Sequence, residues 1–199
     1  MRQADTDSEM MRHCIHLSAT AVRGRDLPIA CVICDGDTIV AEATNQVRQD
    51  GDVTRHAELI AISEAQRRLG RRNLSTCTLY STVEPCPMCS FPIRETRIGR
   101  VIYALNSPKM GGVSKWNVLR DPEISSVMPE VFGPIPEIVA GLQRREAARV
   151  WWMWNPLIWA VIRYRGCFGA DTKSEAVERI EAARPRQGWL RSLLLYHNN

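Results

Sequence analysis

Two segments of the sequence place metal-binding side chains where two predicted helices begin. The triplet His-Ala-Glu occupies residues 56–58, and Pro-Cys-Pro-Met-Cys occupies residues 85–89. Two cysteines three positions apart on a helix lie on the same side of it, so both thiols can face one ion. A histidine from the other helix completes the ligand set only if the two helix N-termini meet. The chain is therefore expected to fold with these N-termini together.

The side chains at this predicted junction favour one metal and one kind of site. Two thiolates and an imidazole, from Cys86, Cys89 and His56, suit zinc better than magnesium or calcium. Three protein ligands leave a fourth position open, which is typical of catalytic zinc sites. Glu58 follows His56 by two residues, so its carboxylate can reach a water at that position and act as a general acid and base. The sequence thus predicts three zinc ligands and Glu58 as the catalytic residue.

Other interpretations of the cysteines are weaker. Taken alone, Cys86 and Cys89 also fit a redox pair or half of a structural zinc site. Cys31 and Cys34 form a second C-x-x-C pair, but they stand in a predicted strand, where their side chains point to opposite faces. The specific signal is the combination of His-x-Glu with Pro-Cys-x-x-Cys.

Hydrophobic periodicity and turn residues predict a layered α/β fold. The predicted elements are a helix over 7–23, strands over 27–34 and 38–43, a helix over 56–69, a strand over 78–81, a helix over 85–96, a strand over 101–105 and a helix over 137–154. Strands that alternate with helices indicate a sheet whose apolar strands are covered by helices. A long loop rich in proline and glycine precedes the last helix, and we expect it to shape the mouth of a pocket.

Composition limits the class of protein. A chain of 199 residues with 45% hydrophobic content can bury one sizeable core. A net charge of +4 allows a polyanionic partner without requiring one. The seven cysteines show no disulfide spacing and the N-terminal residues lack an apolar signal region, so we expect a reduced, cytoplasmic protein. The most apolar stretch, residues 151–162, is too short to span a bilayer, and no membrane partner is expected.

The motifs and their surroundings resemble one known superfamily. His-x-Glu followed by Pro-Cys-x-x-Cys is the motif of zinc deaminases that act on cytosine and adenine. The matching segments are LPIACVICDGDTIVAEATN at 27–45, DVTRHAELIAI at 52–62, STVEPCPMC at 81–89 and TRIGRVIYAL at 96–105. In order and spacing they resemble the tRNA-specific adenosine deaminase and guanine deaminase branches of the cytidine-deaminase-like superfamily. That resemblance implies a three-layer α/β/α fold with a mixed central sheet and one zinc ion per subunit.

The resemblance also implies which residues contact the substrate. Asn45 matches the base-contacting asparagine of the family, whose amide can both donate and accept hydrogen bonds. The backbone around Pro28 and Ala30 matches part of the pocket floor, and Ala57 and Pro85 are further expected contacts beside the metal ligands. The family likeness further implies a homodimer.

The substrate is less constrained than the chemistry. An aromatic, mostly uncharged C-terminal part, and Ser107 where the tRNA branch commonly has aspartate, favour a free nucleobase or nucleoside of guanine, cytosine or adenine type. The alternative is a tRNA-specific adenosine deaminase that forms inosine, because Lys109 and Gly111 match the loop of that branch. A weaker alternative is a catalytically silent, zinc-stabilised binding module. The intact Glu58 argues against it, since a structural site needs no such carboxylate.

The C-terminal part is expected to form a separate extension. We predict a deaminase domain over residues 1–155 and a partly helical extension over 156–199 that serves as a lid or an interface. In the related deaminases an aromatic residue of the C-terminal segment often closes the pocket. Four of the six tryptophans lie between 151 and 159, and no single one of them stands out as the closing residue.

Overall fold

A five-stranded mixed sheet lies between two layers of helices. The structure is a computed structural model and describes residues 3–21 and 26–169. Its helices are α1 (Gln3–Ala21), α2 (Val47–Asp50), α3 (Ala57–Leu69), α4 (Pro87–Glu95), α5 (Pro122–Val127), α6 (Arg144–Trp154) and α7 (Pro156–Tyr164). Its strands are β1 (Ala30–Asp35), β2 (Thr38–Thr44), β3 (Cys77–Val83), β4 (Arg100–Leu105) and β5 (Glu137–Ala140). The predicted three-layer α/β fold with a mixed sheet is confirmed.

The strand order explains why the sheet is mixed. The strands lie in the order β2-β1-β3-β4-β5. The β1 strand pairs antiparallel with both β2 and β3, whereas β3–β4 and β4–β5 are parallel. A tight turn at Gly36, with φ of 60°, joins the first antiparallel pair. The parallel pairs instead require crossovers, which α4 and the long 106–136 segment provide.

Each face of the sheet has its own hydrophobic core. Cys31 and Ile33 of β1 belong to the core beneath α3 and α4, while Val32 and Cys34 belong to the core beneath α1, α6 and α7. This alternation follows the two-residue period of a strand. As predicted, Cys31 and Cys34 therefore lie on opposite faces and share no metal site.

The predicted helix over 137–154 is wrong in its first part. Residues 137–140 instead form β5, parallel to β4, with Ile138 opposite Val101. The β-branched Ile138 and Val139 favour an extended strand. Gly141, with φ of 84°, ends the strand, and α6 begins three residues later.

A buried arginine organises the predicted long loop. Arg94 is 1% exposed on α4, and its guanidinium donates to the backbone carbonyls of Val118 (3.0 Å), Asp121 (2.9 Å) and Gly133 (3.3 Å). All three carbonyls lie outside the strands and helices, and the guanidinium supplies them with buried donors. The segment between β4 and β5 is thereby fixed to the helix that carries both cysteines of the predicted zinc site.

The residues after α6 pack on the same core as α1. Asn155 caps α7, its Oδ1 accepting from the backbone N–H of Ile158 over 3.0 Å. Trp159 and Phe168 both stack near Trp151, with ring centroids 5.8 and 5.1 Å away. The division of the chain at residue 155 stays a prediction, and residues 170–199 of the predicted extension lie outside the described residues. None of the helices described is long and apolar enough to cross a membrane.

Candidate active site

The beginnings of α3 and α4 meet beside the end of β3. His56 is the N-cap residue of α3, and Cys86 is the N-cap residue of α4, with Cys89 one turn further along. His56 Nδ1 lies 3.6 Å from Cys86 Sγ and 3.4 Å from Cys89 Sγ, and the two sulfur atoms are 3.7 Å apart. The structure therefore brings together the three side chains that the sequence predicts as ligands.

The spacing of these three atoms fits zinc. Zinc–sulfur bonds of about 2.3 Å and zinc–nitrogen bonds of about 2.0–2.1 Å in a tetrahedron hold the ligand atoms roughly 3.5–3.8 Å apart. The three observed separations, 3.4 to 3.7 Å, agree with that geometry. Two thiols and one imidazole are also the donor set that zinc prefers over harder cations.

The two thiols differ in how readily they ionise. Hydrogen bonds from Cys89 and His56, the former the stronger effect, lower the pKa of Cys86 to about 4. The contact with Cys86, together with burial, raises the pKa of Cys89. A second thiolate would lie next to the first one, away from solvent, and the two negative charges would repel each other. A cation between the two sulfur atoms removes that repulsion, so the pair is suited to bind a metal ion.

Glu58 is the second residue of α3 and lies beside the three predicted zinc ligands. Its side chain is 4% exposed. Oε1 accepts a hydrogen bond from Ser81 Oγ over 3.0 Å, and Oε2 lies 3.6 Å from Cys89 Sγ. Burial raises the pKa of Glu58, which brings the carboxyl nearer to the neutral range where proton transfer in both directions is efficient.

A cavity of about 250 Å³ opens onto these groups. His56, Glu58 and Cys86 line one side of it. The lining is mainly apolar and also includes Ile29 and Phe168. Drug-sized ligands occupy sites of about 300–1,000 Å³, so a cavity of this size accommodates one nucleobase rather than a whole nucleotide.

Of the five predicted substrate contacts, Asn45 is the one that lines this cavity. It is 5% exposed, and its amide donates to Asp26 Oδ1 over 2.7 Å. Four other predicted contacts are buried outside the lining: Pro28, Ala30, Ala57 and Pro85. The side chain of Ala57, for example, is in the core between α3 and the sheet. Substrate contacts from those four residues stay predictions.

Several lining residues were not expected from the sequence, among them Asp26 and Phe168. Phe168 is held in place because Ser107 Oγ donates to the carbonyl of Cys167 (3.2 Å) and the N–H of Gly169 donates to the carbonyl of Asn106 (3.1 Å). The expected C-terminal aromatic of the cavity is thus a phenylalanine after α7, not one of the tryptophans. Asp26 stands next to the LPIA segment, and only its buried position reveals it.

Glu84 fixes the loop that follows β4. Its carboxylate accepts from the backbone N–H groups of Ser107 (2.7 Å), Val113 (2.9 Å) and Ser114 (2.7 Å). Gly111 approaches so closely that a Cβ there would lie 2.0 Å from Glu84 Oε1. This carboxylate is therefore committed to the loop, and the predicted proton-transfer role of Glu58 stays a prediction.

Comparison with known families agrees with this geometry. Residues 4–105 match the family described as cytidine and deoxycytidylate deaminase zinc-binding region. The chain is 38% identical over 113 residues to the tRNA-specific adenosine deaminase of Aquifex aeolicus. That match covers 56% of this chain and 75% of the Aquifex protein. The chain is 36% identical over 148 residues to the tRNA(Ile)-lysidine synthase of Deinococcus radiodurans. That match covers 74% of this chain, which spans about a quarter (24%) of that much longer relative.

Solved structures of two related enzyme types share the fold. A structure from studies of A-to-I editing by tRNA:A34 deaminases superposes with a TM-score of 0.58 at 30% identity, covering 71% of this chain and 99% of that chain. Guanine deaminase from Bacillus subtilis superposes with a TM-score of 0.50, also at 30% identity, covering 61% of this chain and 79% of that chain. The predicted superfamily and the predicted zinc are confirmed: the chain belongs to the cytidine and deoxycytidylate deaminase family and contains its zinc-binding region.

Proposed function

We propose that this chain is a zinc-dependent hydrolytic deaminase that converts adenosine in tRNA to inosine and releases ammonia. The observation that carries the proposal is the position of Glu58, buried beside the His56, Cys86 and Cys89 atoms at one side of a base-sized cavity. A structural zinc site needs neither the open cavity nor the carboxylate. Both features are those of a hydrolytic site, which argues against the catalytically silent module.

The residues divide the work of deamination. Zinc, held by His56, Cys86 and Cys89, would supply a charge that lowers the pKa of a water molecule towards neutrality. Glu58 accepts a proton from the attacking water and delivers it to the ring nitrogen next to the reacting carbon. It then transfers the remaining hydroxyl proton to the amine, which leaves as ammonia while the ring carbon becomes a carbonyl. Water and adenosine thereby give inosine and ammonia, with every proton accounted for.

The choice of tRNA over a free base rests on the comparisons. Both the Aquifex aeolicus protein at 38% identity and the structure from the tRNA:A34 deaminase studies at 30% concern tRNA deamination. An enzyme of this class extrudes its target base into a pocket while the sugar and phosphates stay outside. A cavity of about 250 Å³ that holds only the base agrees with that arrangement. The free base or nucleoside favoured by the sequence is therefore the second candidate.

A specific observation nevertheless supports the second candidate, a purine base deaminase. Phe168 contributes to the cavity wall, and its two neighbours, Cys167 and Gly169, are hydrogen-bonded to residues 106–107. A C-terminal segment in that place limits the room that an RNA backbone has beside the base. The similarity to the Bacillus subtilis guanine deaminase agrees with this alternative.

One experiment separates the two substrates. Zinc-loaded protein is incubated with a tRNA anticodon stem-loop that carries adenosine at the first anticodon position, and in parallel with guanine, adenine and cytosine. We expect inosine in the RNA by mass spectrometry, with an apparent affinity that falls as salt rises. Ammonia from guanine and an unchanged RNA would replace the tRNA substrate with the free base. No product from any of them would contradict the proposed activity.

The oligomeric state expected from the family likeness stays a prediction. Exposed apolar residues on α4 and α5, Phe91 at 46% and Val127 at 69%, are the kind of surface that a second copy can cover. Sedimentation at working concentration tests the predicted homodimer directly.

A further inference from the structure

Asp26 is a buried carboxylate in the cavity wall that has no part in the proton transfers described above. It is 1% exposed. Its Oδ1 accepts from Asn45 Nδ2 over 2.7 Å and from the backbone N–H of Arg48 over 3.1 Å. Its Oδ2 accepts from the backbone N–H of Gln49 over 3.0 Å. One carboxylate thus fixes residues 45–49 as a unit.

Part of this arrangement is structural. The N–H groups of Arg48 and Gln49 belong to the first turn of α2, where backbone donors have no helical partner. The N-cap residue, Gln46, makes no side-chain hydrogen bond to them. Asp26 therefore caps α2 from a distant position in the sequence. Capping alone does not require the additional bond to Asn45.

The bond to Asn45 determines which way its amide faces. A carboxylate that already receives two backbone N–H donors can only accept from the amide, so Asn45 must turn its nitrogen towards Asp26. The reversed amide would place two oxygen atoms 2.7 Å apart with no proton between them. Among the residues that the structure describes, Asn45 has no other side-chain hydrogen bond, which leaves its oxygen and its second N–H for a ligand.

We propose that Asp26 is a positioning residue that sets base affinity through Asn45. By holding the amide in one orientation, it presents an acceptor and a donor together to the edge of the bound base. The orientation is fixed before the base arrives, so binding does not have to order the amide. The effect on substrate rests on the proposed function, whereas the orientation of Asn45 does not.

Two variants separate this role from capping of α2. Asp26→Asn preserves shape, but its own amide nitrogen meets an N–H donor, so the bonds to residues 45–49 cannot all persist. Gly51→Ala is the matched control. Gly51 is the C-cap of α2 with φ of 64°, and an added Cβ meets nothing within 4 Å. The control therefore strains α2 without touching Asp26 or Asn45.

The kinetic test uses zinc-loaded protein and whichever of the anticodon stem-loop or guanine the wild type deaminates. We expect Asp26→Asn to raise KM about tenfold with little change in kcat, as for lost binding that is equal in ground and transition states. In an Asn45→Ala background, the same substitution should change KM less than about twofold. An equal increase of KM in both backgrounds, or the same increase in Gly51→Ala, would overturn the inference.

A second measurement does not depend on turnover. In the zinc-loaded wild type, NMR should show one Asn45 side-chain amide proton protected from solvent exchange, with the signal assigned by its loss in Asn45→Ala. The protection should disappear in Asp26→Asn and persist in Gly51→Ala. Fast exchange of both amide protons in the wild type contradicts the inference. If no substrate is turned over, the proposed function fails, and this measurement still decides the role of Asp26.

Discussion

Ser81 Oγ donates a hydrogen bond to Oε1 of Glu58 over 3.0 Å, and both side chains are buried. Ser81 lies on β3 and Glu58 lies in the first turn of α3. The sheet thus holds the carboxylate that we assign to proton transfer. The opposite oxygen faces the ligand set, 3.6 Å from Cys89 Sγ. A proton carrier has to stay within hydrogen-bond reach of both the water and the base, so this anchor matters for the rate.

Removing that anchor should slow catalysis. We expect Ser81→Ala to lower kcat about fivefold to tenfold, the size of one buried hydrogen bond, with KM changed much less. The hydroxyl touches Glu58 and not the cavity, so substrate binding should be nearly preserved. Steady-state kinetics checks this, with exposed Ser126→Ala as the control. A KM effect equal to the kcat effect would mean that Ser81 acts on binding instead.

Removing one thiol should remove the metal. The structure offers one cluster of this kind among its described residues, so Cys86→Ala leaves two ligands and should lower zinc content from about one per chain to well below half. Turnover should fall in parallel, and added zinc should not restore it. Metal analysis after dialysis against a chelator measures the change. Cys167→Ala is the control, because its side chain is outside the cluster, and zinc loss there would contradict the assignment.

Replacing the cavity aromatic should weaken binding. Phe168→Leu retains most of the apolar volume but removes the aromatic ring. We expect this substitution to raise KM roughly threefold to tenfold, which corresponds to the loss of one aromatic contact. Tyr164→Leu is the matched control, since Tyr164 is 93% exposed on the preceding helix. The measurement is the KM of both variants, and only that of Phe168→Leu should rise. Equal values for the two variants would show that Phe168 supports the fold and not the substrate.

One carboxylate should make stability depend on pH. Burial alone would raise the pKa of Asp7, but hydrogen bonds from Arg100, Tyr80 and Gln3 outweigh it and lower the pKa below 3.8. The stabilisation is therefore fully present above pH 3.8 and is lost as pH falls through the folded-state pKa. At pH 6 the wild type should exceed Asp7→Asn by about 2 kcal/mol in free energy of unfolding.

Urea titrations of both proteins at decreasing pH measure this difference. The gap between wild type and Asp7→Asn should be constant from pH 7 to about pH 5 and should shrink steadily below 3.8. A gap that grows on acidification has the wrong sign for a lowered pKa.

The two halves of the zinc site could be predicted from the sequence because the geometry of each half is local. Cys86 and Cys89 are one helical turn apart, and their position at a helix start follows from the prolines around them. The strand pattern of β1 likewise placed Cys31 and Cys34 on opposite faces. Both features depend on spacings of two to four residues, which the sequence displays directly, whereas the pairing of His56 with Cys86, 30 positions away, was inferred from the ligand chemistry and the family motif.

Features that depend on long-range contacts were missed. Residues 137–140 become a strand because β4 lies beside them, and the sequence does not display that pairing. Phe168 is held at the cavity by a hydrogen bond of its neighbour Cys167 to Ser107, a residue 60 positions away in the sequence. Asp26 and Asn45 meet across 19 positions. A single sequence does not reveal such partners, because their proximity is created by the packing of the whole domain.

The most direct test of the account compares wild type with Glu58→Gln, both loaded with zinc. The amide keeps the size of Glu58 and its contact with Ser81, but it cannot carry a proton. We expect the wild type to release ammonia from the anticodon stem-loop or from a free purine. The variant should bind zinc equally well and lose at least about a thousandfold in kcat. Turnover within a few-fold of wild type in the zinc-loaded variant would contradict the assignment of Glu58 as the proton carrier.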